Sequence, residues 1–186
     1  PGWRAALGGL IDALLPPSCV VCGEPAEAGA RLCPDCVPSL PWRGEAAVDA
    51  VDAGRLGLDA VVAPLRYSVP VDGLVHRLKF SADLAAGRAL AEALLMAVRD
   101  RPPPQALVPM ALHWRRLAVR GHDQSLELAR PLGRALGVPV LATALCRQRH
   151  TAAQARLKAG ARRRNLLGAF RVRGPLPAHV AIVDDV

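Results

Sequence analysis

Four cysteines fall into two matched pairs, Cys19-Val-Val-Cys22 and Cys33-Pro-Asp-Cys36, with ten residues between the pairs. Each Cys-x-x-Cys hairpin turns tightly enough to bring two sulfurs to one ion, and two hairpins supply the four thiolates of a tetrahedral structural zinc. Gly23 permits the left-handed turn that such a hairpin needs. Two disulfides or a thioredoxin-like redox pair would use the same residues, but two matched pairs in a chain expected to be cytoplasmic favour zinc.

Two adjacent carboxylates, Asp184 and Asp185, follow an apolar run that opens at Val180. The run predicts a buried strand, and in an open α/β sheet ligands bind at the carboxyl ends of the strands. The bland alternative is a polar strand end at a turn, and the residues alone leave both interpretations open.

A third candidate site lies between Val108 and Gln124. The sequence predicts that the chain leaves a strand, crosses a loop that carries three arginines, and enters a helix that Asp123 can cap. Gly121 would let the loop backbone approach a ligand. Loop amides and a helix N-terminus beside arginines suit a phosphate or pyrophosphate, although most arginine-rich loops are only solvated. The arginines are Arg115, Arg116 and Arg120.

The net charge of +8 is concentrated in one segment. Residues 1–146 hold 15 basic and 14 acidic residues, whereas residues 147–173 hold eight arginines, Lys158 and no acid. This cationic segment predicts an anionic partner, with a solvated surface run as the alternative. Because aromatic residues make up only 3% of the chain, nucleic-acid binding would depend on charge more than on stacking.

The elements that must position these residues alternate between strands and helices. Apolar residues at helical spacing predict a helix over Val71–Phe80, and Ser81 could cap a second helix that runs to about Val98. Strands are predicted over Leu58–Leu65 and from Ala106 to Pro109. This order predicts βαβ units around a parallel sheet. Lys79 is either a solvated helix-end residue or a phosphate contact.

Four segments are predicted. They are a short amphipathic helix over 1–17, a zinc ribbon over 18–40, a linker over 41–57 and an α/β domain over 58–186. No run of 18 apolar residues predicts a membrane span, so we expect a cytoplasmic protein. Because the sequence opens on Pro1 without an initiator methionine, we expect a fragment of a longer protein.

In this order the motifs resemble the ComF family, bacterial competence-associated proteins with an N-terminal zinc ribbon and a phosphoribosyltransferase-like domain. The family pattern runs from a four-cysteine ribbon through Leu-Lys and a Val-Pro-x-Pro loop to Arg-Gly-Phe-Asn-Gln. It continues to Arg-x-Asn and a strand that closes in Asp-Asp-Val-x-Thr-Thr-Gly. Over nearly its whole length this chain matches at the four cysteines, Leu78-Lys79, Val108-Pro109, Arg120-Gly121, Gln124, Gln154, Arg163, Asn165, Phe170 and Asp184-Asp185-Val186.

The resemblance implies a parallel-sheet, Rossmann-like phosphoribosyltransferase fold that binds phosphoribosyl pyrophosphate, with Mg²⁺ arriving on the pyrophosphate. Asp184 and Asp185 would be the catalytic pair and accept the two ribose hydroxyls. The loop from Pro109 to Gly121 would hold the pyrophosphate. Segment 147–170 would be the lid over the site. The remaining substrate-binding residues implied by the motifs are Lys79, Arg115, Arg116, Arg120, Gln124, Gln154, Arg163 and Asn165.

Three departures from the family pattern stand out. Ala111 replaces the second proline and His122-Asp123 replaces Phe-Asn, and both changes look tolerable. The Thr-Thr-Gly loop that should follow Val186 is absent, so the chain as given is expected to be a poor catalyst even if the full-length protein is a phosphoribosyltransferase.

Two other functions compete with the enzyme. The first is a non-catalytic competence factor that grips single-stranded DNA through its ribbon and cationic segment, working with the competence helicase machinery. The second is a structural remnant of the fold.

Overall fold

A computed structural model of the chain describes residues 17–44, 48–49, 54, 57–149 and 166–185. The chain divides into two compact units, of which the first ends at Pro102 and the second spans Pro103–Asp185. The segment boundaries predicted from the sequence stay predictions. Part of what the sequence predicted lies outside the described residues, namely all but the last residue of the helix over 1–17 and the site residues Gln154, Arg163 and Asn165.

The first unit contains, in chain order, α1 (Cys36–Ser39), β1 (Val48–Asp49), β2 (Val61–Val62), α2 (Val71–Ser81) and α3 (Leu84–Val98). The strands β1 and β2 pair antiparallel, so a strand lies within the segment predicted as a linker. The strand predicted over Leu58–Leu65 is reduced to β2 and an isolated bridge between Leu65 and Trp42.

The helices α2 and α3 pack against each other through small and aliphatic side chains. The predicted apolar stripe of α2 is confirmed, because its buried residues are Val71, Leu74, Val75 and Leu78. At Gly87 of α3, an added Cβ would lie 3.0 Å from Leu78 Cδ1. Glycine and buried alanines therefore let the two helix axes approach closely.

The predicted cap of α3 is wrong. Ser81 is the last residue of α2, and Ala82 ends that helix in the left-handed conformation with φ 51°. Asp83 caps α3 instead, because its side chain accepts hydrogen bonds from the N–H groups of Ala85 and Ala86. Its extended backbone (φ −76°, ψ 93°) is the one that an N-cap residue requires.

The second unit contains β3 (Ala106–Pro109), α4 (Trp114–Arg120), α5 (Gln124–Leu136), β4 (Leu145–Arg147), β5 (Phe170–Val172) and β6 (Val180–Val183). Strands β3 and β6 pair in parallel, with Ala106 opposite Val180 and Pro109 opposite Val183. A further parallel bridge joins Leu107 to Val140. The described part of the chain is therefore mixed α/β with a small parallel sheet, as the strand–helix order predicted.

Strands β4 and β5 pair antiparallel and bring together the two ends of the cationic segment, residues 147–173. Arg147, where β4 ends and the segment begins, lies opposite Phe170 in this pair. The stretch between them is described only at residues 148–149 and 166–169.

The core of the second unit lies between β3 and α5. All four residues of β3 are buried, and α5 buries Leu128, Ala129 and Leu132. The predicted strand β6 is present, but it is less buried than its apolar sequence suggested. Ile182 is 51% exposed, and only Val183 is buried.

The predicted arginine loop is a helix. His113 caps α4 by accepting a hydrogen bond at Nδ1 from the Arg115 N–H at 3.3 Å. Gly121 ends the helix at φ 79°, and its N–H donates to the Leu117 carbonyl at 2.8 Å. Trp114 and Leu117 are three residues apart, but α4 spans only seven residues, too few for apolar periodicity to distinguish a helix from a loop.

Among the described residues no helix is both long and apolar enough to cross a membrane.

Candidate functional site

The two cysteine hairpins converge on one point. The four sulfurs all lie within 4.8 Å of one another, and the Cys22 and Cys33 sulfurs are 3.7 Å apart. Zn–S bonds of about 2.3 Å in a tetrahedron would place sulfurs about 3.8 Å apart. All four thiols are free of disulfide bonds. The donor set and its spacing thus fit one structural zinc ion.

Backbone hydrogen bonds shape the two hairpins. In the first, the Gly23 N–H donates to the Cys19 carbonyl at 2.9 Å, with Gly23 in the left-handed conformation at φ 84°. In the second, the N–H groups of Cys36 and Val37 both donate to the Cys33 carbonyl, and α1 follows directly. The predicted role of Gly23 is confirmed.

The electrostatics of the cluster call for a cation. Burial opposes ionisation of Cys19, but backbone N–H groups of Cys22, Cys33 and Val21 outweigh it and lower the pKa of the thiol to about 6. The pKa of Cys36 is raised by its hydrogen bond with the Cys22 thiol and by burial. One thiol ionises readily while another resists, because negative charge would accumulate on the sulfurs. A bound divalent cation removes that repulsion.

Two side chains of the helix pair hold the ribbon. Arg77 of α2 donates to the Val20 carbonyl inside the first hairpin at 2.9 Å and pairs with Asp83 at 2.6 Å. Glu92 of α3 accepts the Arg31 N–H on both carboxylate oxygens, at 2.9 and 3.1 Å. Because backbone groups of the ribbon bond to α2 and α3, the metal centre is fixed on the first unit.

The two aspartates lie at the carboxyl end of the parallel pair. There Met110, directly after β3, donates its N–H to the carbonyl of Val183, the last residue of β6. Asp184 Oδ1 then accepts hydrogen bonds from Ser125 Oγ and from the Asp185 N–H, both at 2.9 Å. Ser125 is in the first turn of α5, which Asp123 caps through a hydrogen bond from the Leu126 N–H. The predicted cap at Asp123 is confirmed.

The carboxyl group of Asp184 has a pKa well above that of an ordinary aspartate. Desolvation and the neighbouring charge of Asp185 raise its pKa to about 6, although hydrogen bonds from the Asp185 N–H and the Ser125 hydroxyl act in the opposite direction. Asp184 as a residue is nonetheless exposed, so a ligand can reach it. A carboxyl group with this pKa exchanges between its protonated and ionised forms near neutral pH.

One arginine from another element interacts with this carboxylate, and a second arginine interacts with the first. Burial lowers the pKa of the Arg147 guanidinium, the charge of Arg116 lowers it further, and the charge of Asp184 raises it. Arg147 ends β4 and is within electrostatic reach both of Asp184 and of Arg116, which lies in α4. The arrangement can hold a ligand with hydroxyl donors on one side and anionic oxygens on the other.

The structure brings only some of the predicted site residues together. Asp184 and Asp185 share one edge, Pro109 is buried at the end of β3 beside it, and Arg116 is connected to Asp184 through Arg147. Arg120 donates to Gln124 across the α4–α5 turn, and Gly121 lies in that turn. The Arg115 guanidinium lies over the ring of Trp114. Lys79 belongs to the first unit.

Ser125 and Arg147 were not predicted from the sequence. Ser125 follows Gln124 directly, so the motif pointed to its neighbourhood but not to its bond with a residue 59 positions later. Arg147 opens the cationic segment, and only its position in β4 separates it from the other arginines there.

Comparison with known proteins bears on the zinc ribbon and on the family of the whole chain. The family model described as the double zinc ribbon domain matches residues 10–47. The DNA utilization protein YhgH of Salmonella typhi is 37% identical over 180 residues, which are 90% of this chain and 77% of the relative. Its counterpart in Escherichia coli (strain K12) is 34% identical over 180 residues, with the same shares. The Competence protein F of Haemophilus influenzae is 32% identical over 181 residues, 91% of this chain and 72% of the relative. No solved structure matches the chain significantly.

The N-terminal four cysteines thus form a zinc ribbon, supported both by the matching family model and by the convergence of the sulfurs. With identity above 30% across nine-tenths of its length and the motifs in family order, this chain belongs to the ComF family.

Proposed function

We propose that this chain binds phosphoribosyl pyrophosphate with Mg²⁺ at the carboxyl edge of β6, in a phosphoribosyltransferase-like fold, and serves DNA utilization in natural competence. The observation that carries the proposal is Asp184. It stands at the end of a parallel strand, bonded to Ser125 and within electrostatic reach of Arg147, which in turn interacts with Arg116. The names of the relatives, DNA utilization protein and Competence protein F, support the biological role.

The ribose end of the ligand would meet the carboxylates. An ionised carboxylate accepts at about four lone-pair positions, so Asp184 keeps acceptor capacity after bonding Ser125 and the Asp185 N–H. Asp184 and Asp185 would each accept one of the two ribose hydroxyls. Their negative charge would also favour positive charge on the ribose as the bond to the pyrophosphate weakens.

The pyrophosphate end would meet the cations. Arg147 supplies positive charge beside Asp184, Arg116 interacts with Arg147, and Mg²⁺ would arrive held mostly by phosphate oxygens and water. During transfer, the C1′–O bond to pyrophosphate breaks with its electron pair leaving on the pyrophosphate, and an acceptor nucleophile bonds to C1′. Further proposed contacts from the family motifs are Lys79, Pro109, Arg115, Arg120, Gly121, Gln124, Gln154, Arg163 and Asn165.

Calorimetric titration of phosphoribosyl pyrophosphate in the presence of Mg²⁺ tests the proposal. The double variant Asp184→Ala, Asp185→Ala should bind at least about tenfold more weakly, since hydrogen bonds to charged groups are involved. The variant Asp72→Ala, Asp100→Ala changes the net charge equally in the first unit and should bind normally. Unchanged affinity in the first variant would refute the ribose assignment.

A second candidate is single-stranded DNA binding by the cationic segment, favoured by its nine basic residues and absence of acid. Affinity should then fall steeply with salt, with a log–log slope near −0.7 for each phosphate contact. Replacing Arg162, Arg163 and Arg164 with Gln should lower both affinity and slope. Binding that does not respond to salt would count against this role.

A further inference from the structure

Helix α4 exposes large apolar side chains to solvent. Trp114 is 65% exposed and Val119 is 91% exposed, and Leu117 is exposed as well. No residue of α4 is buried. Since exposing an indole to water is unfavourable, the surface of α4 is suited to a partner that covers it.

The same helix is strongly cationic. It carries Arg115, Arg116 and Arg120 within seven residues and no acidic residue. The Arg115 guanidinium lies 5.3 Å from the centroid of the Trp114 ring, in a cation–π contact. The buried ring of His113, the residue before Trp114, lies 5.6 Å from the same indole, measured between ring centroids. Two neighbours thus hold the indole in place while leaving most of it open to solvent.

We propose that α4 is a contact site for single-stranded DNA, with an unpaired base stacked on the indole of Trp114 and neighbouring phosphates on the arginines. An exposed aromatic ring beside arginines is the combination that binds single strands without regard to sequence. In a duplex the faces of the bases are already stacked, so the indole would add little. The proposal rests on the second candidate function above and names a contact for it outside the cationic segment.

Charge decides between this partner and a second copy of the chain. Two α4 helices that packed their apolar residues together across a two-fold axis would bring three arginines near three others. That repulsion disfavours self-association, whereas phosphates complement the same arginines. An anionic strand is therefore the partner that the surface of α4 fits.

Fluorescence anisotropy with a labelled oligothymidylate, read at several salt concentrations on the whole chain, tests the proposal. Trp114→Ala should weaken binding roughly 5- to 150-fold, the range for losing one base stack. Trp114→Phe should keep most of the affinity, because the ring is retained. Arg115→Gln should weaken binding and reduce the salt slope by about 0.7. Affinity for a duplex of equal length should not change in Trp114→Ala.

Val119→Ala is the matched control, since it removes an apolar side chain more exposed than Trp114 from the same helix and cannot affect stacking. Far-ultraviolet circular dichroism identifies any variant that fails to fold, and Trp114→Leu, which keeps an apolar side chain without an aromatic ring, then takes the place of Trp114→Ala. Three results would overturn the proposal: Trp114→Ala binding within twofold of the parent, equal losses in Val119→Ala, or a dimer of the parent that Trp114→Ala abolishes. If the parent protein binds no oligonucleotide, both this proposal and the second candidate function fail. If the parent binds and Trp114→Ala binds equally well, only this proposal fails.

Discussion

Ser125 Oγ donates a hydrogen bond to Asp184 Oδ1 at 2.9 Å, joining the first turn of α5 to the end of β6. Ser125 is 1% exposed, so its hydroxyl has few other partners to choose from. The bond fixes the direction of the carboxyl group and favours its ionised form. A buried serine therefore controls the orientation and the acidity of a carboxylate that is open to ligands.

Ser125→Ala should raise the pKa of Asp184 further, because a hydrogen bond to the ionised form is lost. We also expect a loss of about 1 kcal/mol in the free energy of unfolding, typical of one hydrogen bond whose acceptor can turn to water. Carbon-13 NMR titration of the aspartate carboxyl groups measures the pKa, and urea unfolding measures the stability. The exposed Ser68→Ala is the control and should change neither. A pKa of Asp184 that falls in Ser125→Ala would contradict the assigned role.

Affinity for phosphoribosyl pyrophosphate should fall as the pH falls through about 6, where Asp184 takes up a proton and loses its acceptor charge. Titrations between pH 5 and 8 check this. The ligand also titrates in this range, so Asp184→Asn, which cannot titrate, supplies the ligand's own contribution. If the parent and Asp184→Asn have parallel pH profiles, Asp184 does not contact the ligand.

Stability should follow the same group with the opposite sign. Folding raises the pKa of Asp184 from its ordinary 3.8 to about 6, so the native state prefers the protonated carboxyl. Its contribution to stability is complete below pH 3.8 and is lost as the pH rises through 6. Asp185→Asn removes the repelling charge and should reduce this loss, which urea midpoints at pH 5 and pH 8 measure. Asp100→Asn, which removes one negative charge from an exposed position in the first unit, should leave this loss of stability unchanged.

Cys36→Ala should abolish stoichiometric zinc, because three thiolates hold the ion far less tightly than four. Mass spectrometry of metals in protein purified under reducing conditions gives the zinc content. Cys146→Ala is the matched control, since Cys146 lies in β4 of the second unit and is not one of the four ligands, and its loss should leave zinc at one per chain. A parent protein without zinc would refute the metal centre.

Arg77→Ala should lower the free energy of unfolding by about 1–2 kcal/mol. The pair with Asp83 is partly exposed and contributes modestly, whereas the charged hydrogen bond to the Val20 carbonyl contributes more. Zinc should also dissociate faster in the presence of a chelator, as a coloured zinc indicator would report. The exposed Arg66→Ala, in the same unit, should stay within about 0.5 kcal/mol of the parent. Equal effects of the two substitutions would show that Arg77 does not support the ribbon.

Gly133→Ala should destabilise the second unit by about 1–3 kcal/mol. The added Cβ would lie 2.6 Å from Val140 Cγ2 and 3.0 Å from the Val138 carbonyl oxygen, too close for either to accommodate without movement. Gly73→Ala is the opposite case, because its added Cβ meets nothing within 4 Å in helix α2. It should stabilise the protein by up to about 1 kcal/mol. Thermal unfolding of both variants measures the difference in sign.

What could be predicted from the sequence was local. The spacing of Val71, Leu74, Val75 and Leu78 predicted α2, because a helix that buries a stripe must repeat apolar residues at that period. The cysteine spacing predicted the metal centre for a similar reason, since two short hairpins have few ways to present four sulfurs. Asp123 was predicted as a cap because aspartate is a favoured N-cap residue and a helix was predicted to follow it.

What could not be predicted depended on packing or on competition between equivalent signals. Ser81 and Asp83 are both good caps, and only the left-handed turn at Ala82 decided which one begins α3. Helix α4 spans seven residues, too few for apolar periodicity to distinguish it from a loop. The bond between Ser125 and Asp184 exists only because α5 and β6 pack together, which no local pattern encodes.

The hydrogen bond from Arg77 to the ribbon connects the zinc site to residues beyond its four cysteine ligands. Asp83, the partner of Arg77, holds the amide groups of Ala85 and Ala86 at the start of α3. We therefore expect loss of the metal to weaken the first turn of this 15-residue helix through the Arg77 guanidinium. In hydrogen–deuterium exchange, the amides of Ala85 and Ala86 would serve as reporters of metal occupancy, although they touch no cysteine.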